Sequence, residues 1–200
     1  AVLLERHQAM HVAGAAGEHQ VGRRQALGDA AGAVLLEPNE EGLGFQDAVL
    51  KAVGEGRELL RQEGGGSLNP ATVESVMAGK HYIRQEGPKV FKFAVTNMAN
   101  AAEEILQSHN LKGEDIAWLV PHQANKRIID AMAERMNLPL DRVMVNIQKY
   151  GNTTAATIPL CLWEWEPQLR KGDNLIIAAF GGGFTWGSAW VKWAYDGDKR

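Results

Sequence analysis

Apolar residues recur in two rhythms along this chain, and the changes of rhythm mark its elements. Continuous short apolar runs at 33–36, 116–120, 143–147 and 175–180 read as buried strands. A further strand covers 44–53. Elsewhere the spacing is helical. Phe91, Ala94 or Val95, Met98, Ala102 and Ile105 share one face of a helix that Pro88 opens and that Asn110 and Gly113 stop. A second helix starts at about Asn125. It carries Ile128, Met132 and Met136 on one side and Lys126, Arg127, Asp130, Glu134 and Arg135 elsewhere. A third runs from Thr153 to about Leu169 despite Pro159, and Lys171-Gly172-Asp173 ends it. Gly181-Gly182-Gly183 then turns the 175–180 strand into a returning strand over 188–195. The order strand, helix, strand, helix, strand, turn, strand implies parallel crossovers closed by an antiparallel hairpin. The expected fold class is α/β with a mixed, layered sheet.

The first half of the chain is less regular. Residues 1–26 are rich in Ala, Gly, His, Gln and Arg, with poor apolar periodicity. His7, His11 and His19 fall there, but their spacing suits no common metal-ligand pattern, and a surface or disordered segment is expected. The texture changes at the small-residue stretch Gly28-Asp29-Ala30-Ala31-Gly32. Pro38-Asn39-Glu40-Glu41-Gly42 is a turn. The glycine-rich residues 54–70 read as loop, and 71–87 as a short helix and a connection. The domain division is therefore 1–26, unassigned, and 27–200.

Composition narrows the classes. The 200 residues are 45% hydrophobic and 22% charged, ordinary for a globular chain. A formal net charge of -3 gives no overall pull toward nucleic acid. No apolar stretch approaches the ~20 residues of a membrane-spanning helix. The opening residues lack the pattern of a signal peptide, so a cytoplasmic setting is expected. One cysteine, Cys161, excludes an internal disulfide and a multi-cysteine metal site.

Two motifs carry the candidate chemistry. His122 lies in Pro121-His122-Gln123-Ala124-Asn125, just past a strand. Asn152 opens Gly151-Asn152-Thr153-Thr154-Ala155-Ala156-Thr157, in the corresponding strand-to-helix turn. Imidazole and carboxamide can both donate hydrogen bonds without carrying charge, so together they could stabilise an enolate-like oxyanion. Taken singly, a histidine at a strand end is usually structural and an asparagine at a helix start is usually a cap. Their matching positions favour function. Gly181-Gly182-Gly183 could bring a backbone N–H close to a reacting oxygen, or could simply make a hairpin. A nucleotide-binding reading is weaker, since no helix is expected after these glycines. Lys126 and Arg127 could hold a phosphate or an acidic surface, or be solvated charges. Cys161, among Leu160, Leu162 and Trp163, reads as a buried hydrophobe.

Leu119-Val120-Pro121-His122-Gln123-Ala124-Asn125, Tyr150-Gly151-Asn152-Thr153-Thr154-Ala155-Ala156 and the run from Ala179 through Gly181-Gly182-Gly183-Phe184-Thr185-Trp186-Gly187 to Ser188 occur in one order. In that order they resemble the C-terminal half of β-ketoacyl-acyl-carrier-protein synthase III, over roughly Leu27 to Tyr195. The resemblance implies a thiolase-like layered fold, C-terminal half only. It implies an acyltransferase that starts fatty acid synthesis by decarboxylative condensation of acetyl-CoA with malonyl-acyl-carrier protein. The family needs no cofactor and is usually a homodimer. His122 and Asn152 would stabilise the enolate formed on loss of carbon dioxide, and Gly182 would supply an oxyanion-hole N–H. Asn125, Arg127 and Ile128 would line the pantetheine tunnel and carrier-protein docking surface. Phe91 and Gly87 would form another part of the tunnel wall, and Phe180 would lie near the reacting centre. The family's nucleophilic cysteine belongs to its N-terminal half. Cys161 falls in the wrong motif to take that role, so these residues alone are expected to lack condensing activity. A second reading is a non-catalytic remnant that binds carrier protein or a subunit.

Overall fold

The computed structural model describes residues 27–36, 38 and 40–197, and the backbone of Val2–Leu3. Apart from those two residues, the expectation of a surface or disordered N-terminal segment lies outside the described residues. The strands are β1 (Val2–Leu3), β2 (Leu35–Leu36), β3 (Gly44–Ala52), β4 (Leu60–Gln62), β5 (Ile83–Gln85), β6 (Trp118–Pro121), β7 (Asn174–Gly181) and β8 (Thr185–Lys192). The helices are α1 (Val73–Met77), α2 (Gly87–Ser108), α3 (Lys126–Arg135), α4 (Ile147–Tyr150) and α5 (Thr157–Trp165).

The central sheet has the order β3-β8-β7-β6. β6 and β7 are parallel, β7 and β8 form an antiparallel hairpin, and β3 adds antiparallel to β8. The mixed sheet with a parallel crossover and a closing hairpin is as expected. Period-two alternation then builds two cores. Leu119, Ile176, Ala178 and Trp190 face α2 and α3, whereas Val120, Leu175 and Val191 face the layer that holds Cys161 and Leu162 of α5. Residues adjacent in a strand therefore sit on opposite sides of the sheet, in an α/β/α layering.

The helix ends follow local rules. Asn110 and Asn137, both with positive φ, stop α2 and α3 in the same way. Leu111 N–H returns to Leu106 O at 2.8 Å, and Leu138 N–H returns to Ala133 O at 2.9 Å, closing a Schellman motif at each end. Pro159 is tolerated because it is the third residue of α5, where no intrahelical acceptor awaits its missing N–H. The expected helix from Thr153 to about Leu169 is in fact an α-helix flanked by 3-10 turns at Thr154–Ala156 and Glu166–Gln168.

Three expectations are corrected. The 143–147 run is not a strand: only Val143 bridges Leu119, and α4 begins at Ile147. Its side chains are apolar except Asn146, but Gln123 takes the backbone amides of Asn146 and Ile147, as described below. The 33–36 run shrinks to β2, which is exposed and pairs with β1. Residues 54–70 are not all loop. They contain β4, which pairs antiparallel with β5 by Leu60↔Gln85 and Arg61↔Arg84. Two arginines opposite each other repel. Glu63 relieves this by pairing with both, at 3.0 Å to Arg61 Nη2 and 3.5 Å to Arg84 Nε.

Candidate functional site

β6 delivers His122. The strand ends at Pro121, and His122 N–H donates to Ala178 O at 2.8 Å, carrying the parallel ladder one residue further. The side chain is partly buried, and its Nδ1 lies 2.7 Å from Thr157 Oγ1. Burial holds the imidazole pKa below its ordinary value, so the ring is neutral at pH 7. Nε2 has no partner among the described residues.

Asn152 does not follow a strand, as the sequence suggested, but the single-turn helix α4. Gly151, at φ 67, turns the chain out of that helix. Gly28 N–H donates to Asn152 O at 2.8 Å, within a parallel bridge between Leu27 and Asn152. A β-carbon at Gly28 would lie 2.8 Å from Tyr150 O, so glycine permits this approach. Asn152 Oδ1 accepts from Thr154 N–H at 2.9 Å. That bond goes with φ 53 at Thr154, a left-handed conformation unusual for a β-branched residue. With Oδ1 engaged, the carboxamide keeps its Nδ2 protons, which meet no acceptor among the described residues.

A cavity of about 990 Å³ receives these groups. His122, Asn152 and Gly182 all line it, with Ile128 and Phe180 of the expected set. Gly182 lies in the β7–β8 turn, and its N–H has no acceptor among the described residues. The next strand follows directly, with no helix N-terminus to hold a phosphate, so nothing in this turn supports the nucleotide reading. The turn is clamped from behind. Phe184 and Val53 exchange backbone hydrogen bonds at 2.6 and 2.8 Å. The buried Phe184 ring lies against Phe93 and Phe180, with centroids 4.7 and 4.9 Å away. It leaves no room for a side chain at position 56, where a β-carbon would be 2.3 Å from Phe184 Cδ2.

Four expected wall residues lie outside the cavity lining. Asn125 is the N-cap of α3, its Oδ1 accepting from Arg127 N–H at 2.9 Å. Arg127 is exposed and stacks over Phe91, 5.4 Å from the ring centroid. Gly87 is the first residue of α2. On α2 it is Val90, not Phe91, that faces the cavity, because one helical step turns the next side chain about 100° away. The Arg127–Phe91 pair instead joins α3 to α2 beside the lining residues Ile128 and Val90. Cys161 is fully buried, and burial together with the charge of Glu164 pushes its thiol up to about 12. It is no thiolate near neutral pH.

Sequence reasoning passed over Gln123 and Thr157. Gln123 is fully buried. Its Nε2 donates to Pro121 O at 2.7 Å and Met144 O at 3.0 Å. Its Oε1 accepts from Asn146 N–H at 3.0 Å and Ile147 N–H at 3.2 Å. All four valences are filled, and they tie the strand end beside His122 to the segment leading to Asn152. β4 and β5 also contribute wall residues, Leu60, Arg61, Gln62, Ile83 and Gln85. Their shared apolar-Arg-Gln pattern was the available signal. Among the described residues no cluster of His, Cys, Asp or Glu is placed to hold a metal ion.

Known proteins share this sequence pattern and fold. Residues 106–193 match the model of the 3-oxoacyl-[acyl-carrier-protein] synthase III C-terminal family. A β-ketoacyl-[acyl-carrier-protein] synthase III of Porphyromonas gingivalis is 58% identical over 171 residues, covering 86% of this chain and 51% of that protein. By sequence and fold, the chain matches the C-terminal part of the β-ketoacyl-acyl-carrier-protein synthase III family. A synthase III of Chlorobaculum tepidum is 55% identical over 171 residues, 84% of this chain and 52% of its own length. The crystal structure of the Aquifex aeolicus 3-oxoacyl-[acyl-carrier-protein] synthase III superposes with a TM-score of 0.70 at 36% identity. It covers 80% of this chain and 48% of its own. The Pseudomonas aeruginosa synthase III structure gives a TM-score of 0.70 at 36% identity, covering 82% of this chain and 49% of its own. The chain thus spans about half the length of the synthase III relatives it matches. The expected thiolase-like fold stands.

Proposed function

We propose that this chain provides the decarboxylating, oxyanion-stabilising part of a β-ketoacyl-acyl-carrier-protein synthase III. His122 Nε2 and Asn152 Nδ2 donate to the thioester carbonyl oxygen of a malonyl group. Breaking the bond to the carboxylate releases carbon dioxide and leaves its electron pair as an enolate, which those donors stabilise. The enolate carbon then attacks an acyl thioester, and its thiolate leaves. Gly182 N–H stabilises the oxyanion formed at that second carbonyl. The acyl group, drawn from acetyl-CoA, needs a reactive cysteine, and Cys161 does not supply one. The chemistry calls for no cofactor. The remaining proposals are a malonyl-carrier-protein partner near Arg127, assembly of the whole protein as a homodimer, and a cytoplasmic setting. No helix among the described residues is long and apolar enough to cross a membrane.

One observation carries this reading. Three donors from three separate loops line a single cavity, and none is spent on a partner among the described residues. The test is release of carbon dioxide from a malonyl thioester by the 200-residue chain. Loss of one oxyanion donor costs roughly 100-fold or more in kcat. His122→Ala and Asn152→Ala should each approach that loss with little change in KM. A wild-type rate equal to the buffer blank, or one that neither substitution alters, would overturn the reading. The non-catalytic alternative rests on the exposed Arg127. It requires carrier-protein binding that Arg127→Glu abolishes, from a chain without decarboxylation.

A further inference from the structure

We propose that Thr157 is a positioning residue that presents His122 to the cavity with its proton on Nε2. The inference deepens the reading of His122 as a donor and rests on it. A neutral imidazole carries one ring proton. If it sits on Nδ1, Nε2 offers the cavity a lone pair, which would repel a developing oxyanion. Something must therefore hold the proton on Nε2, and the group opposite Nδ1 decides.

That group is the Thr157 hydroxyl, on a side chain only 1% exposed in the first turn of α5. It has one proton and two acceptors within reach, His122 Nδ1 at 2.7 Å and Thr154 O at 2.9 Å. Two observations assign the proton to Nδ1. Thr154 O already accepts the backbone N–H of Thr157, so the carbonyl is not left bare when the hydroxyl turns away. The Nδ1 contact, at 2.7 Å, is also the shorter of the two. The hydroxyl thus does for His122 what an orienting partner does for any histidine that must act through one chosen nitrogen. Thr157 itself does not line the cavity. Serine could replace it, and valine, of the same shape, could not.

The sign of a titration separates the two proton arrangements. A donor aimed at Nδ1 stabilises the neutral ring and opposes its protonation, whereas an acceptor there favours the cation. Burial is the one cause that depresses the His122 pKa in this structure, so no charged neighbour masks the effect. The experiment is nitrogen-detected NMR of the 200-residue chain labelled at histidine, with His122 assigned by the signal lost in His122→Gln. The wild-type ring should show the Nε2–H form. Thr157→Val should raise the His122 pKa by about 0.4 to 1.1, the equivalent of one ordinary hydrogen bond. Thr157→Ser should keep the wild-type value. An Nδ1–H ring in the wild type, or a fall or no change in Thr157→Val, would overturn the proposal. If Thr157→Val does not fold, the wild-type ring spectrum decides alone. None of these readouts needs turnover. A chain with the Nε2–H ring and no decarboxylation would sink the functional reading only, whereas a decarboxylating chain with the Nδ1–H ring would sink this proposal and the donor role of His122 but leave the decarboxylating activity standing.

Discussion

Replacing Gln123 by leucine removes the tie between the two donor-bearing loops while keeping most of the side-chain volume. The wild-type carboxamide makes four hydrogen bonds, all to backbone, three of them buried and the one from Ile147 half-buried. Each is worth about 1 kcal/mol net, rising toward about 1.5 when the stranded partner stays dry. Four such losses come to roughly 4–6 kcal/mol. Burying a leucine side chain returns about 2 kcal/mol. The expected net destabilisation is therefore about 2–4 kcal/mol. Equilibrium urea unfolding followed by tryptophan fluorescence reads it as a lower midpoint at unchanged slope. A loss below about 1 kcal/mol would refute the reasoning, because it would mean that water or relaxed backbone replaces the amide at little cost. Gln123→Glu adds a check on sign. Its carboxylate would face the Pro121 and Met144 carbonyl oxygens, which raises the folded-state pKa above the unfolded value of about 4.3. Such a group holds its proton longer when folded. Its deficit against wild type should be small below the unfolded pKa and should grow as pH rises through the folded one. A deficit that does not depend on pH would count against the carbonyl contacts.

Gly56→Ala should cost about 1–3 kcal/mol in thermal or urea unfolding, since the new methyl meets the Phe184 ring and the backbone behind the glycine turn must shift. A neutral result would show that the Val53–Phe184 clamp is slack. Cys161 should resist iodoacetamide at pH 8 in the native chain and react once urea unfolds it, because burial holds the thiol protonated. Cys161→Ala should leave malonyl-thioester decarboxylation unchanged, and a loss of that activity would mean the thiol does more than pack.

The elements that build the site differ in how clearly the sequence announces them. β6 and β7 were legible because each joins a core through an apolar run with turn residues at its ends, and β8 because the glycines turn β7 back on itself. The helices α2 and α3 were legible because apolar positions repeat along one face and an asparagine stops each. The run at 143–147 misled because hydrophobicity reports burial and not pairing. These residues are buried while a glutamine takes the amides that a neighbouring strand would have used. β4 and β5 were hidden by their three-residue length among glycines. The placement of His122 past β6 followed from strand patterning. The resemblance supplied Gly182, whose place in the turn the structure then gave. Gln123 and Thr157 stayed invisible for a simple reason. Their partners are 23 and 35 positions away, and no local pattern marks a polar side chain whose acceptors arrive only on folding.

Gln123, Thr154 and Thr157 all fall within the chain segment that runs from His122 through Asn152 to α5. The machinery that aims the two donors is thus hereditary cargo of one short stretch, whereas β4 and β5, which furnish much of the facing wall, are encoded far upstream. Selection can recut the wall for a bulkier or slimmer bound group without retuning the donors. A graft of that single stretch, with the β7–β8 turn, would carry the reactive apparatus into a foreign scaffold as a unit.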